Sequence, residues 1–106
     1  MDIIVHRIRL RPGVSPERFE TWVRETDYTT CPQLPSVRSF SVQKVSADPR
    51  APFHYFEVIT VVSQADFAAD MKSDVFRGLV SEFEEMASVI DEAAGERIAP
   101  GYHATA

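Results

Sequence analysis

Two histidines, His6 and His54, are the residues of this 106-residue chain best suited to moving protons. Histidine titrates near neutrality, so one imidazole can accept a proton while another donates one. His6 lies in IIVHRIRL and His54 in FHYFEVITVV, two runs that alternate in side-chain type. Either histidine alone is most simply a core residue with satisfied nitrogens. Two of them on one apolar face, with Trp22 opposite, make an acid–base pair. Burial there would disfavour the charged forms and keep at least one ring neutral. Tyr28 follows the first helix, where a phenol can reach a pocket mouth and donate a hydrogen bond; its plainer reading is a rim tyrosine. Trp22, Phe40, Phe56, Val58, Phe67, Met71 and Phe76 supply the walls of a site for a flat substrate. The same residue types also build a core, so composition does not separate the two roles.

Other chemistries lack their signatures. Cys31 has Asp27 nearby and no basic residue in its loop, so it reads as a small buried residue and not as a nucleophile. There is no glycine-rich phosphate loop, paired-cysteine zinc motif, or flavin or nicotinamide fingerprint. The histidines stand at 6, 54 and 103, without close ligand spacing, and a site of His6, His54 and a carboxylate has little else in its favour. No metal or cofactor is therefore expected, and any catalysis would rest on positioning and proton transfer in a dry pocket. His103 lies in the tail and is expected to be solvated.

The elements that must position these residues follow from periodicity. Ile3–Leu10 alternates as a first strand. Arg11-Pro12-Gly13 is a turn, Ser15 an N-cap with Pro16 at the first helical position, and the helix is expected to run to about Thr26. Residues 27–35 read as a loop, because Pro32 and Pro35 forbid a continuing helix. Val37–Val45 is a second strand. Phe53–Val62 is a central strand, apolar on both faces and rich in aromatic and β-branched residues. Ser63-Gln64-Ala65-Asp66 is a helix start, and the spacing of Phe67, Met71, Val75, Phe76, Leu79, Val80, Phe83, Met86, Ala87 and Ile90 predicts two helical pieces bent near Lys72–Asp74. Gly95 would follow the helix, Glu96–Ala99 would be a short last strand, and residues 100–106 a tail.

The order β-α-β-β-α-β in one domain spanning residues 1–106 predicts an α+β, ferredoxin-like fold: a four-stranded antiparallel sheet with both helices on one face. Right-handed crossovers put the first and third strands in the middle. Two alternations must then be phased. With His54, Phe56 and Val58 under the helices, Ile4, His6 and Ile8 can join them, whereas the opposite phase leaves His54 and Phe56 on the uncovered face. In the preferred phase Glu57 faces away from the helices and pairs with Arg7 or Arg9. Ile3, Val5, Phe53, Tyr55, Ile59 and Val61 would then form an uncovered apolar face, which a second copy would bury.

The net charge of −5 argues against a nucleic-acid partner, which would need a basic face. No apolar run approaches the roughly 20 residues of a membrane helix. The N-terminal run is interrupted by Asp2, His6, Arg7 and Arg9, so it does not read as a signal peptide; with one cysteine, a cytoplasmic location is expected.

The element order, length and two apolar sheet faces resemble the dimeric α+β barrel superfamily, in which two such sheets close an intersubunit barrel. Within it, IIVHRIRL, WVRETDYTTCPQLPSVRSFSV and HYFEVITV resemble REDY-like proteins of prodiginine and bisindole pathways. The central strand is also similar to that of plant polyketide cyclases of this superfamily, in which a histidine three residues before a glutamate lines the pocket; His54 and Glu57 have that spacing. Trp22 matches a pocket tyrosine of those cyclases, but their second-helix histidine has no counterpart here. The resemblance implies a homodimer and a small aromatic, pyrrole- or indole-bearing substrate. The expected function is a cofactor-independent cyclisation or proton transfer in secondary metabolism, with His6 and His54 as acid and base and Tyr28 and Trp22 orienting the substrate. A cofactor-free monooxygenase of aromatic rings, and a non-catalytic carrier of a reactive intermediate, are the alternatives.

Overall fold

In the computed structural model, which describes residues 1–105, four strands form one antiparallel sheet. They are β1 (Asp2–Leu10), β2 (Val37–Lys44), β3 (Tyr55–Val61) and β4 (Ala87–Glu96), in the order β2-β3-β1-β4. Helices α1 (Pro16–Trp22), α2 (Gln64–Asp70) and α3 (Asp74–Met86) complete the ferredoxin-like α+β fold. Each helix starts on a serine whose hydroxyl accepts a backbone N–H: Ser15 from Arg18, Ser63 from Asp66, Ser73 from Phe76.

Two expected boundaries move. Residues 27–35 are not an open loop. The helical path leaves α1 through a π-helical turn (Val23–Asp27), one α turn (Tyr28–Thr30) and a 3-10 turn (Cys31–Gln33). The Thr29 and Thr30 hydroxyls bond back to the carbonyls of Glu25 and Thr26, and Pro32 sits early in the last turn, where its missing N–H costs nothing. The second correction is larger. Helix α3 stops at Met86, and Ala87–Glu96 is a ten-residue strand paired with β1 along its length. Ala87 and Ile90 continue the three-and-four spacing of α3 by coincidence. The free edge of β1 supplies a full ladder of backbone partners, which outweighs the weak strand propensity of DEAAGE. Gly95 therefore lies in β4 opposite Ile3, not at a helix end.

The phase of β3 is also reversed. Its register pairs Ile4 with Ile59, His6 with Glu57 and Ile8 with Tyr55. Directly opposed residues share a face, so Tyr55, Glu57, Ile59 and Val61 lie under the helices beside Ile4, His6 and Ile8. Phe56 and Val58 join Ile3 and Val5 on the far face. A one-residue change of phase exchanges every side chain between faces. The choice here follows from filling the core: Tyr55, Ile59 and Val61 are buried, while Phe56 and Val58 are only partly so.

The core divides into two clusters. One holds Ile8, Leu10, Phe19, Val23, Tyr55, Met86 and Ala87. The other holds Ile4, Ile59, Val61 and Phe67, with Val37, Phe40 and Phe76 packed against it. His6 and Glu57 lie between them in sequence on both central strands. A polar row thus separates two apolar layers.

Candidate functional site

The polar row crosses three strands. Glu57 on β3, His6 on β1 and Glu92 on β4 are direct neighbours in the register, and Val42 on β2 ends the row. His6 Nδ1 lies 2.6 Å from Glu57 Oε2, and His6 Nε2 lies 2.6 Å from Glu92 Oε2. Ionised carboxylates only accept, so between two of them both ring nitrogens donate, which is the imidazolium form. The hydrogen bond that His6 donates to Glu57 is the main influence raising the pKa of His6; burial opposes it and Glu92 adds to it. The two partners differ in setting: the Glu57 side chain is 14% exposed and that of Glu92 59%. Glu57 is therefore the inner partner and Glu92 the outer one.

The row opens on a cavity of about 500 Å3 between sheet and helices. Its walls are mainly apolar and aromatic, including Trp22, Phe40, Phe67, Met71, Phe76 and Phe83. Trp22 sits 6.4 Å from Phe83, ring centre to ring centre, and its indole N–H is buried without a protein partner. Such an orphaned donor is uncommon and suits an acceptor brought by a ligand.

Asp27 also lines this cavity. It ends the π-helical turn, and turns of that kind often re-aim a side chain at a functional site. Burial pushes its carboxyl up to about 7, and the nearby Glu57 charge adds to the rise. No donor or cation offsets either effect. A carboxyl half-ionised near neutrality is well matched to general acid–base work. Cys31 faces the same cavity, but burial and then the Asp27 and Glu57 charges push its thiol up to about 11. It is a thiol at neutral pH and a poor nucleophile. Among the described residues no group of three His, Cys, Asp or Glu could hold a metal ion.

The candidates drawn from sequence separate cleanly. His6, Trp22, Phe40, Phe67, Met71 and Phe76 line the cavity. His54 does not. It precedes β3, only 4% exposed, with Nδ1 accepting from Leu10 N and Nε2 donating to the Asp48 carbonyl, each at 3.0 Å. Phe56 and Val58 lie on the far face for the register reason given above. Tyr28 stands aside from the cavity: its hydroxyl accepts from Val42 N at 3.0 Å and its ring packs edge-on against Phe40. Glu57 does not pair with Arg7 or Arg9. Arg7 bonds Asp91, and Arg9 bonds the carbonyls of Pro49 and Ala51.

Glu92 and Asp27 are not among the site candidates that the sequence offers, and Glu57 is read there as an ion-pair partner on the other face. A lone acid in the apolar alternation of β3 was the signal for Glu57, and only its face was misjudged. Glu92 was hidden by the misplaced end of α3. For Asp27 there was only an acid near two prolines, a pattern common in solvated loops.

Fold and site together define a ferredoxin-like α+β protein with a carboxylate-clamped imidazolium in a helix-covered cavity. The chain belongs to the REDY-like HapK family, whose model, described as "REDY-like protein HapK", matches residues 2–98. The crystal structure of HapK from Hahella chejuensis is 47% identical, covers 98% of this chain and 99% of its own, and superimposes with a TM-score of 0.95. More distant structures share the fold alone. SnoaB, a cofactor-independent oxygenase from Streptomyces nogalater, is 11% identical, with coverage of 94% and 97% and a TM-score of 0.69. A dimeric ferredoxin-like protein of unknown function from Thermobifida fusca is 13% identical, with coverage of 89% and 86% and a TM-score of 0.65. No curated protein matches the chain.

Proposed function

We propose that this protein is a proton-transfer enzyme of secondary metabolism that cyclises or tautomerises a flat, pyrrole- or indole-type intermediate in the cavity between sheet and helices. Membership in the REDY-like family supports the metabolic setting. The observation that carries the chemistry is the imidazolium of His6, held between Glu57 and Glu92 at the wall of an aromatic cavity. In this reading His6 and Asp27 divide the work. The Asp27 carboxylate takes a proton from the substrate, and the Nε2–H of His6, exchanged from the exposed Glu92 to the substrate, protonates or polarises a basic atom. Glu57 and Glu92 orient the ring and balance its charge, much as a carboxylate fixes a catalytic histidine elsewhere. Trp22 and Phe40 hold the substrate ring. Chemistry of this kind needs no group beyond side chains of the chain itself.

The far sheet face, with Ile3, Val5, Phe56 and Val58, supports assembly as a homodimer through that surface. Light scattering should give twice the chain mass; a stable monomer would contradict it. No described helix is long and apolar enough to cross a membrane.

The function is tested by hydrogen exchange at ring carbons. Indoles and pyrroles in deuterated buffer should exchange ring protons faster with the protein than without it. The acceleration should vanish in His6→Ala and Glu57→Gln. Absence of any acceleration, with no change in Trp22 emission on adding ligand, contradicts the reading. Oxygen uptake on a phenolic substrate would point instead to a cofactor-free oxygenase.

A further inference from the structure

We infer that the cavity takes its ligand as an organic cation: an aromatic frame bearing a protonated amine or iminium nitrogen, seated beside Asp27 and Glu57. The inference rests on the aromatic-pocket reading above and narrows it to a charge class.

His6 from β1, Glu57 from β3, Glu92 from β4, Glu84 from α3, Asp27 and Cys31 from the turns after α1, and Arg11 beyond β1 all line the cavity. Cys31 is neutral. Arg11 follows five residues after His6 along an extended chain, roughly 17 Å away at about 3.4 Å per residue. Its Nε is engaged by the Glu84 carbonyl, so it does not neutralise the centre. There, three carboxyl groups stand against one imidazolium. Both N–H groups of that imidazolium are already taken by Glu57 and Glu92. Asp27 is left over: among the described residues nothing balances its ionised form.

The remaining walls suit the same ligand. Trp22 and Phe40 present aromatic rings, whose faces attract cations, and more strongly where water is excluded. An anionic ligand would meet Glu57 and Asp27 in a poorly solvated space, where repulsion is only weakly screened. A cation resolves the one unbalanced feature of the site: it supplies the partner that Asp27 lacks and draws its carboxyl into the ionised form. Binding and proton release are then linked.

Three ligands of one shape separate the cases by calorimetry at pH 8: tryptamine (a cation), 3-ethylindole (neutral) and indole-3-propionate (an anion). Tryptamine should bind about tenfold more tightly than 3-ethylindole, and the anion about tenfold more weakly, the scale of one modest charge contact. Near pH 7, titration in two buffers of different ionisation enthalpy should show tryptamine releasing a fraction of a proton and 3-ethylindole releasing none. Asp27→Asn should remove the advantage of tryptamine and leave 3-ethylindole unchanged. Glu92→Gln, at the exposed edge, should reduce that advantage only in part. Equal or tighter binding of the neutral or anionic ligand overturns the inference while leaving the aromatic pocket standing. So does an advantage that survives Asp27→Asn. Failure of all three ligands to bind defeats the pocket reading and the inference together.

Discussion

His6 and His54 are the two histidines of the sheet region, and they have opposite surroundings. His54 is buried, and both of its nitrogens are used by backbone groups, Leu10 N and the Asp48 carbonyl. Its own backbone N–H donates to Ile8, so it ties the loop before β3 to the end of β1. His6 has no backbone partner for its ring. Both nitrogens meet carboxylates, and the ring faces a cavity. Backbone partners fix a histidine in one neutral tautomer. Carboxylate partners charge it and leave it able to give up a proton. Residue type and strand alternation were the same for both; the partners decide the role.

That contrast yields graded expectations. The largest is for His6→Ala, which should reduce any ring-proton exchange or turnover by about 10²- to 10³-fold in the folded fraction, the usual worth of a general acid–base group. His54→Ala should do the reverse. It leaves the buried Leu10 N–H without a partner, at about 1–3 kcal/mol, whereas the Asp48 carbonyl keeps the Ala51 N–H, so thermal or urea unfolding should show a loss of that size while the chemistry survives in the folded fraction. If His54→Ala abolished exchange without destabilising the fold, the contrast would be broken.

Asp27→Asn should stabilise the protein in a pH-dependent way. The folded-state pKa of Asp27 is raised to about 7 from the ordinary 3.8. Below about pH 4 the group is neutral in both states and contributes nothing. Between about pH 4 and 7 the unfolded chain ionises first, so stability falls as pH rises, and the full penalty is reached above pH 7. Three units correspond to about 4 kcal/mol at most. Partial exposure reduces this, so Asn should add about 1–3 kcal/mol at pH 8 and nothing at pH 4, by urea unfolding. The paired His6 acts in the same direction. Its pKa is raised on folding, so its contribution is full below the unfolded value and is lost as pH rises through the folded one. The smallest effect belongs to Tyr28→Phe, which removes one exposed bond to Val42 and should cost below about 1 kcal/mol with exchange intact.

Much of the architecture was legible in sequence. The alternation of Ile3–Leu10 and Phe53–Val62, the Ser15 cap and the β-α-β-β-α-β order were enough to specify a four-stranded ferredoxin-like sheet. Two features were not. The end of α3 was obscured because Met86, Ala87 and Ile90 fit helical spacing, and only the open edge of β1 turns that segment into a strand. The phase of β3 was obscured because both of its faces are apolar, so hydrophobicity cannot choose between Phe56 with Val58 and Tyr55 with Ile59. That one-residue ambiguity misassigned His54, Phe56 and Val58 together and placed Glu57 on the wrong side. His6, Trp22, Phe40, Phe67, Met71 and Phe76 do line the cavity, since β1, β2 and the helices each have one more clearly apolar face. Asp27 has no periodic signal at all; it becomes conspicuous only when a π-helical turn buries it beside Glu57.

Glu57 and Glu92 hold His6 as an imidazolium at the cavity wall. Titration of the histidine ring signals by NMR tests it directly, with His6 assigned by substitution. His6 should titrate above the ordinary histidine value of 6.5, and Glu57→Gln should bring it down. A His6 that titrates at or below 6.5, and does not move in Glu57→Gln, would contradict the account.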